Sequence, residues 1–117
     1  MIEAPYVPDA GDLIWTDVDP PTGREQSGRR PALALSPAGL LRASAFAIVC
    51  PITSRVRDFG SSVLLPPGLP IAGEVLTSHI LSIDTVARRI GHAGTAVAPA
   101  TLAEVRGKLA ALCGITV

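Results

Sequence analysis

The sequence predicts a mainly β domain: a small, strongly bent sheet or partly open barrel of about six short strands, followed by one C-terminal α-helix. Three observations predict it. Short apolar runs recur along the chain and are broken by prolines and glycines, which cannot continue a hydrogen-bonded ladder. Only the final segment repeats its apolar residues at three- and four-residue spacing. The chain of 117 residues is 48% hydrophobic but only 3% aromatic, so a single domain spanning 1–117 must build its core from Val, Ile, Leu and Ala. A core so short of large anchors gains from pairing with a second copy, and an oligomer is expected.

The elements follow in order. Prolines before Gly11 give an extended arm, and residues 12–18 alternate loosely as a first strand that carries Trp15, a core or dimer anchor. Pro20 and Pro21 end it, and a loop runs from Asp19 to Arg29. Residues 31–35 form a second strand, and 36–39 a turn into a polar-poor segment reaching Ser44. The most apolar run, 46–52, suits a central strand ended by Pro51. Residues 61–65, 73–76 and 80–83 are short strands, with an irregular proline-rich connection at 66–70 and Thr77-Ser78-His79 between the last two. Asp84-Thr85 starts a turn that leads through Arg88-Arg89 to His92, which lies among glycines and reads as a solvated loop residue. Pro99 opens the helix, and Leu102, Val105, Leu109 and Leu112 form the stripe facing the sheet, ending at Gly114.

Ten basic and ten acidic residues cancel, so attraction to a polyanion must be local. Asp9, Asp12, Asp17 and Asp19 make the first strand region acidic, and this stretch is expected to face solvent or another subunit. From Arg24 to Arg57 six arginines stand against Glu25 alone. No apolar stretch approaches the roughly 20 residues of a membrane span, and no leader pattern is legible, which predicts a cytoplasmic protein without membrane contact. Cys50 and Cys113 lie far apart in apolar segments and read as buried free thiols. With His79 and His92 they show none of the close pairings of a metal site, and no cofactor is expected.

The stretch that carries chemistry is Gly23-Arg24-Glu25-Gln26-Ser27-Gly28-Arg29-Arg30-Pro31. Its glycines loosen the loop, whereas Pro31 biases Arg30 toward extended backbone and holds a planar cation at the root of a strand. Thr53-Ser54-Arg55, with Arg57 beyond, places hydroxyls and cations where the best-buried strand meets solvent. Thr53 also fits a plain strand-end hydroxyl bonded to its own backbone. His79 reads either as an acid or base or as a strand-end histidine without chemistry.

The order Gly11-Asp12-Leu13-Ile14-Trp15, Asp17-Val18-Asp19-Pro20, the loop just quoted through Leu33, Cys50-Pro51-Ile52-Thr53-Ser54 and Ser82-Ile83-Asp84 resembles the MazF/PemK toxins of bacterial toxin-antitoxin systems along nearly the whole chain. The resemblance implies a homodimeric SH3-like barrel that cuts single-stranded RNA at short sequences without a metal, leaving a 2′,3′-cyclic phosphate and a 5′-hydroxyl, and that a cognate antitoxin neutralises. It implies Arg30 and Thr53 as the catalytic pair. Glu25 is then a base or the group that orients an arginine, and Arg24, Gln26, Arg29, Ser54, Arg55, Arg57 and His79 are candidates for holding RNA. His79 departs from the glutamine frequent in that region of the family. A CcdB-like gyrase poison and a non-catalytic RNA-binding module on the same fold are the alternatives, since fold alone does not separate them.

Overall fold

The computed structural model of the protein describes residues 6–17, 29–57 and 60–116. Its longest strand, Phe46–Thr53, is the element around which the others are hung. In chain order the strands are β1 (Asp12–Asp17), β2 (Arg29–Ala34), β3 (Phe46–Thr53), β4 (Val63–Leu64), β5 (Glu74–Val75), β6 (Leu81–Asp84) and β7 (Ile90–Ala96). Two helices, α1 (Ala38–Ser44) and α2 (Pro99–Leu112), and a 3₁₀ turn at Thr77–His79 complete the described elements.

The strands pair in the order β4-β5-β3-β2-β1-β7, all antiparallel, with β6 beside β3. One edge of β3 is taken by β2. The other is divided, with β6 pairing at Phe46 to Val49 and β5 at Ile52 and Thr53. The sheet therefore bends at β3 and stays open, as expected of a partly open barrel. Seven strands replace the expected six because β7 forms where a loop was expected.

Strand alternation sorts the apolar residues into two cores on opposite faces of the sheet. Leu13, Leu33, Cys50, Ile52 and Val75 form one, capped by fully buried Val105 of α2, with Leu102 and Leu109 packed against it. Leu112, expected in the same stripe, is 51% exposed. Ile14, Ala32, Ala47, Val49 and Ile83 form the other, covered by Leu41 of α1. α2 has no side-chain cap; Lys108 instead donates to the Ser62 carbonyl at 2.7 Å, tying the helix to the approach to β4.

Several expectations are corrected. Pro51 does not end its strand. Its carbonyl accepts from Leu76 N at 2.9 Å, so its ring nitrogen faces the same edge, in the gap between β6 and β5 where no ladder donor is required. The polar-poor segment before Ser44 is α1. His92 lies in β7 opposite Ile14, 3.8 Å from the Asp12 carboxylate and edge-on to Tyr6. The acidic residues that are described serve the fold. Asp9 accepts from Ala38 N at 2.9 Å at the start of α1, Asp12 accepts from Tyr6 Oη, and Asp17 pairs with Arg89 at 3.3 Å. The Ala38 and Ala10 amides hold the Asp9 carboxyl below its ordinary range, and burial followed by the Asp12 bond pushes the Tyr6 phenol up. Cys50 is buried as expected, but Cys113 is exposed.

Candidate active site

The end of β3 is where rigid sheet gives way to polar side chains. Thr53 is half-buried, and its Oγ1 accepts from Arg55 N at 3.1 Å, which turns the chain as the strand-end reading expected. A hydroxyl used as acceptor keeps its own hydrogen for a ligand oxygen. The turn carries Ser54, Arg55 and Arg57 outward, all exposed.

What holds this turn is Glu74, a residue the sequence reading passed over. It sits opposite Thr53 in the β3–β5 register, is 1% exposed, and its Oε1 accepts from Arg57 N at 3.0 Å. A buried carboxylate is costly unless hydrogen-bonded, so Glu74 and the turn fix one another. The only signal in the sequence was a lone carboxylate inside an apolar strand. Gly73, just before it, has φ +131°, and a Cβ there would stand 2.0 Å from the Thr53 carbonyl oxygen. That close approach is open to glycine alone.

The opposite wall is the 3₁₀ turn. Thr77 is buried and donates through Oγ1 to the Ser61 carbonyl, which fixes the turn and presents His79, whose Nδ1 lies 3.1 Å from Ser78 Oγ. Thr53, Arg55, Arg57, Leu76 and His79 together line a cavity of about 460 Å³. This gathers four of the anticipated residues from two chain segments, 53–57 and 76–79. The result is a hydroxyl, two guanidinium groups and an imidazole, a donor set suited to a phosphodiester.

Arg30 is exposed at the start of β2, opposite Thr16 of β1. The β2–β3 pairing described runs from Ala34↔Val49 to Ala32↔Pro51; the same register, continued two residues, sets Arg30 across from Thr53 on one face of the sheet. A separate cleft nearby is lined mainly by apolar residues, Pro31, Ala32, Val49, Pro51, Leu81 and Ile83, with Thr16, Asp17 and Arg88. Arg29 turns away. Its Nη2 donates to the Trp15 carbonyl at 3.4 Å, packs where a Cβ on Gly91 would collide at 2.4 Å, and lines a different cavity. Arg24, Glu25 and Gln26 lie outside the described residues. Among the described residues no three His, Cys, Asp or Glu side chains group as metal ligands, and no helix is long and apolar enough to cross a membrane.

A bent antiparallel sheet with a terminal helix and a cationic, hydroxyl-bearing pocket at the end of its shared strand defines a small, mainly β protein with its polar site at a strand end. Residues 9–113 match the model of the PemK-like, MazF-like toxins of type II toxin-antitoxin systems, and the chain belongs to that family. It is 38% identical over 109 residues to the endoribonuclease toxin MazF of Escherichia coli (strain K12), covering 93% of this chain and 96% of that protein. It is 32% identical over 106 residues to the Escherichia coli endoribonuclease PemK, covering 87% and 79%. Among solved structures, a MazE-MazF crystal structure from Deinococcus radiodurans superposes with a TM-score of 0.85 at 41% identity, over 95% of this chain and 100% of that one. MazF of the same organism superposes with a TM-score of 0.80 at 48% identity, over 94% and 99%.

Proposed function

We propose that this chain acts as its curated relatives are named, as an endoribonuclease toxin. It cleaves single-stranded RNA selectively at short sequences, by attack of a 2′-hydroxyl on the adjacent phosphorus, leaving a 2′,3′-cyclic phosphate and a 5′-hydroxyl without a metal. The toxin works as a cytoplasmic homodimer and is silenced by a cognate antitoxin, the kind of partner named in the MazE-MazF structures it resembles. The observation that carries the reading is the cavity shared by Thr53, Arg55, Arg57 and His79, with Arg30 on the adjoining strand.

The chemistry follows from the residue types. As the 2′-oxygen attacks, negative charge grows on the non-bridging oxygens. Arg30 offers a planar fork to that charge, and Thr53 Oγ1 a hydroxyl donor beside it. Arg55 and Arg57 hold neighbouring phosphates. His79 lines the same cavity and is placed to hold RNA, and Glu25, in the loop before Arg30, is a base or the group that orients an arginine. The exposed apolar side chains Phe46, Ile48 and Ile80 support a dimer face along β3 and the approach to β6.

The test is to incubate the protein with a long single-stranded RNA in EDTA and map the new ends, beside Arg30→Ala and Thr53→Ala. Cyclic-phosphate ends are expected, with Arg30→Ala slower by about a hundredfold or more, the usual worth of one preorganised donor to a developing oxyanion. Rates unchanged from the parent in both variants would remove the site assignment. Intact RNA together with a block of gyrase supercoiling would replace the function by the gyrase-poison alternative.

A further inference from the structure

The chain that leaves β3 with Arg55 and Arg57 returns to β4 through Gly60, Ser61 and Ser62. Two side chains from distant elements take the carbonyls of this returning arm. Thr77 of the 3₁₀ turn donates through Oγ1 to the Ser61 carbonyl, and Lys108 of α2 donates to the Ser62 carbonyl at 2.7 Å. The two donors are placed differently. Lys108 stands outside the cavity of Thr53, 3.8 Å from Glu104 on its own helix. Thr77 directly follows Leu76 and lies two residues before His79, and both of those line the cavity. Thr77 is itself 1% exposed. A buried hydroxyl is costly unless it is bonded, and a valine would fill the same volume without that cost, so the hydroxyl is accounted for by what it holds.

The 3₁₀ turn is fixed from its other side as well. Leu76 N donates to the Pro51 carbonyl at 2.9 Å, and the turn packs between β3 and α2. On the arm that leaves β3, Glu74 accepts from Arg57 N at 3.0 Å. The segment with the two arginines is thus held at its start by β5 and at its return by the turn. We infer that Thr77 is a positioning residue for RNA: its hydroxyl ties the wall that carries His79 to the returning arm of the wall that carries Arg55 and Arg57, and so sets the width of the cavity in which the strand lies. The inference rests on the ribonuclease reading above and deepens it. Arg30 belongs to β2 and Thr53 to β3, and neither strand depends on this bond. Its loss therefore weakens the hold on RNA and leaves the chemical step alone.

The test compares the parent with Thr77→Val, Thr77→Ser and Lys108→Met. Steady-state cleavage of a single-stranded RNA gives KM and kcat, and binding of the same strand, with deoxyribose at the mapped scissile position so that it is not cut, is followed across a salt series. Thr77→Val should raise KM about tenfold, the scale of one buried hydrogen bond, with kcat within about twofold of the parent. It changes no charge, yet its salt slope should fall by about 0.7 for each phosphate contact that Arg55 or Arg57 loses, a change that a neutral substitution makes by displacing a cation. Thr77→Ser keeps the hydroxyl and loses a buried methyl, so it should melt about 2–6 °C lower with the parent's KM and slope. Lys108→Met frees the neighbouring carbonyl without touching a lining residue, and should melt lower with KM within about twofold of the parent. The inference is overturned by a Thr77→Val that keeps the parent's KM or slope or that loses kcat instead, by a Thr77→Ser as impaired as Thr77→Val, or by an equal rise of KM in Lys108→Met. If Thr77→Val does not fold, Thr77→Ala is set against Thr77→Ser on the same criteria. A parent that cleaves no RNA removes the function itself, a result distinct from cleavage indifferent to Thr77.

Discussion

Gly73→Ala isolates the contact on which the position of Thr53 depends. Two costs add at this residue. With φ at +131° the backbone is in a region that L side chains rarely adopt, which costs about 1–2 kcal/mol. The new methyl would also stand 2.0 Å from the Thr53 carbonyl oxygen and 2.8 Å from its carbon, atoms of a strand backbone that cannot swing aside. Overpacking of that kind costs about 1–3 kcal/mol. Unfolding entropy near 2.1 cal/mol/K per residue, over 117 residues, makes each kcal/mol worth about 4 °C, so the expected fall in melting temperature is about 8–20 °C. Gly68→Ala is the matched control, because Gly68 has φ +95° with nothing within 4 Å of its Cβ position, and should lose only about 4–8 °C. Thermal unfolding followed by circular dichroism reads both. RNA cleavage at a temperature where both are folded should then fall much further in Gly73→Ala, since the displaced carbonyl belongs to Thr53. Equal melting temperatures in the two variants would refute the reasoning.

Glu74→Val removes the acceptor that holds Arg57 N while Glu74→Gln keeps a neutral one; KM for RNA is expected to rise about tenfold in the first, equivalent to 1.4 kcal/mol of misplaced cation contact, and less in the second, by steady-state cleavage assays. Burial pushes the Cys50 thiol up to about 12, so at pH 8 a thiol reagent should modify one cysteine of the native protein, exposed Cys113, and a second only after unfolding. Two fast-reacting thiols would contradict this. Because the Asp9 carboxyl is held low in the folded state, it contributes stability above its ordinary pKa of 3.8 that is lost as pH falls through the lower folded value. Asp9→Asn should therefore melt below the parent at pH 7, with the gap closing as the pH drops below about 4.

The class of fold was legible in the chain itself, and so were the side chains from which a site could be built. The apolar run 46–52, the prolines that punctuate its neighbours and the α2 stripe are local signals, because alternation, ring geometry and helical spacing act over a few residues. Arg30 before Pro31 and Thr53 after the buried run stood out on the same terms. Tertiary structure alone decided what those residues meet. Pro51 stays in its strand because its missing donor falls between two partner strands, and His92 is strand rather than loop because β1 is there to pair with it. Glu74 anchors the turn of Arg55 and Arg57 only once β5 lies against β3. Arg29 reaches the Trp15 carbonyl and lines one cavity, whereas its neighbour Arg30 stands opposite Thr16 in the ladder. Sequence determines which side chains are available and how each short segment prefers to bend; the partner across the ladder, set by distant residues, determines which of them share a cavity.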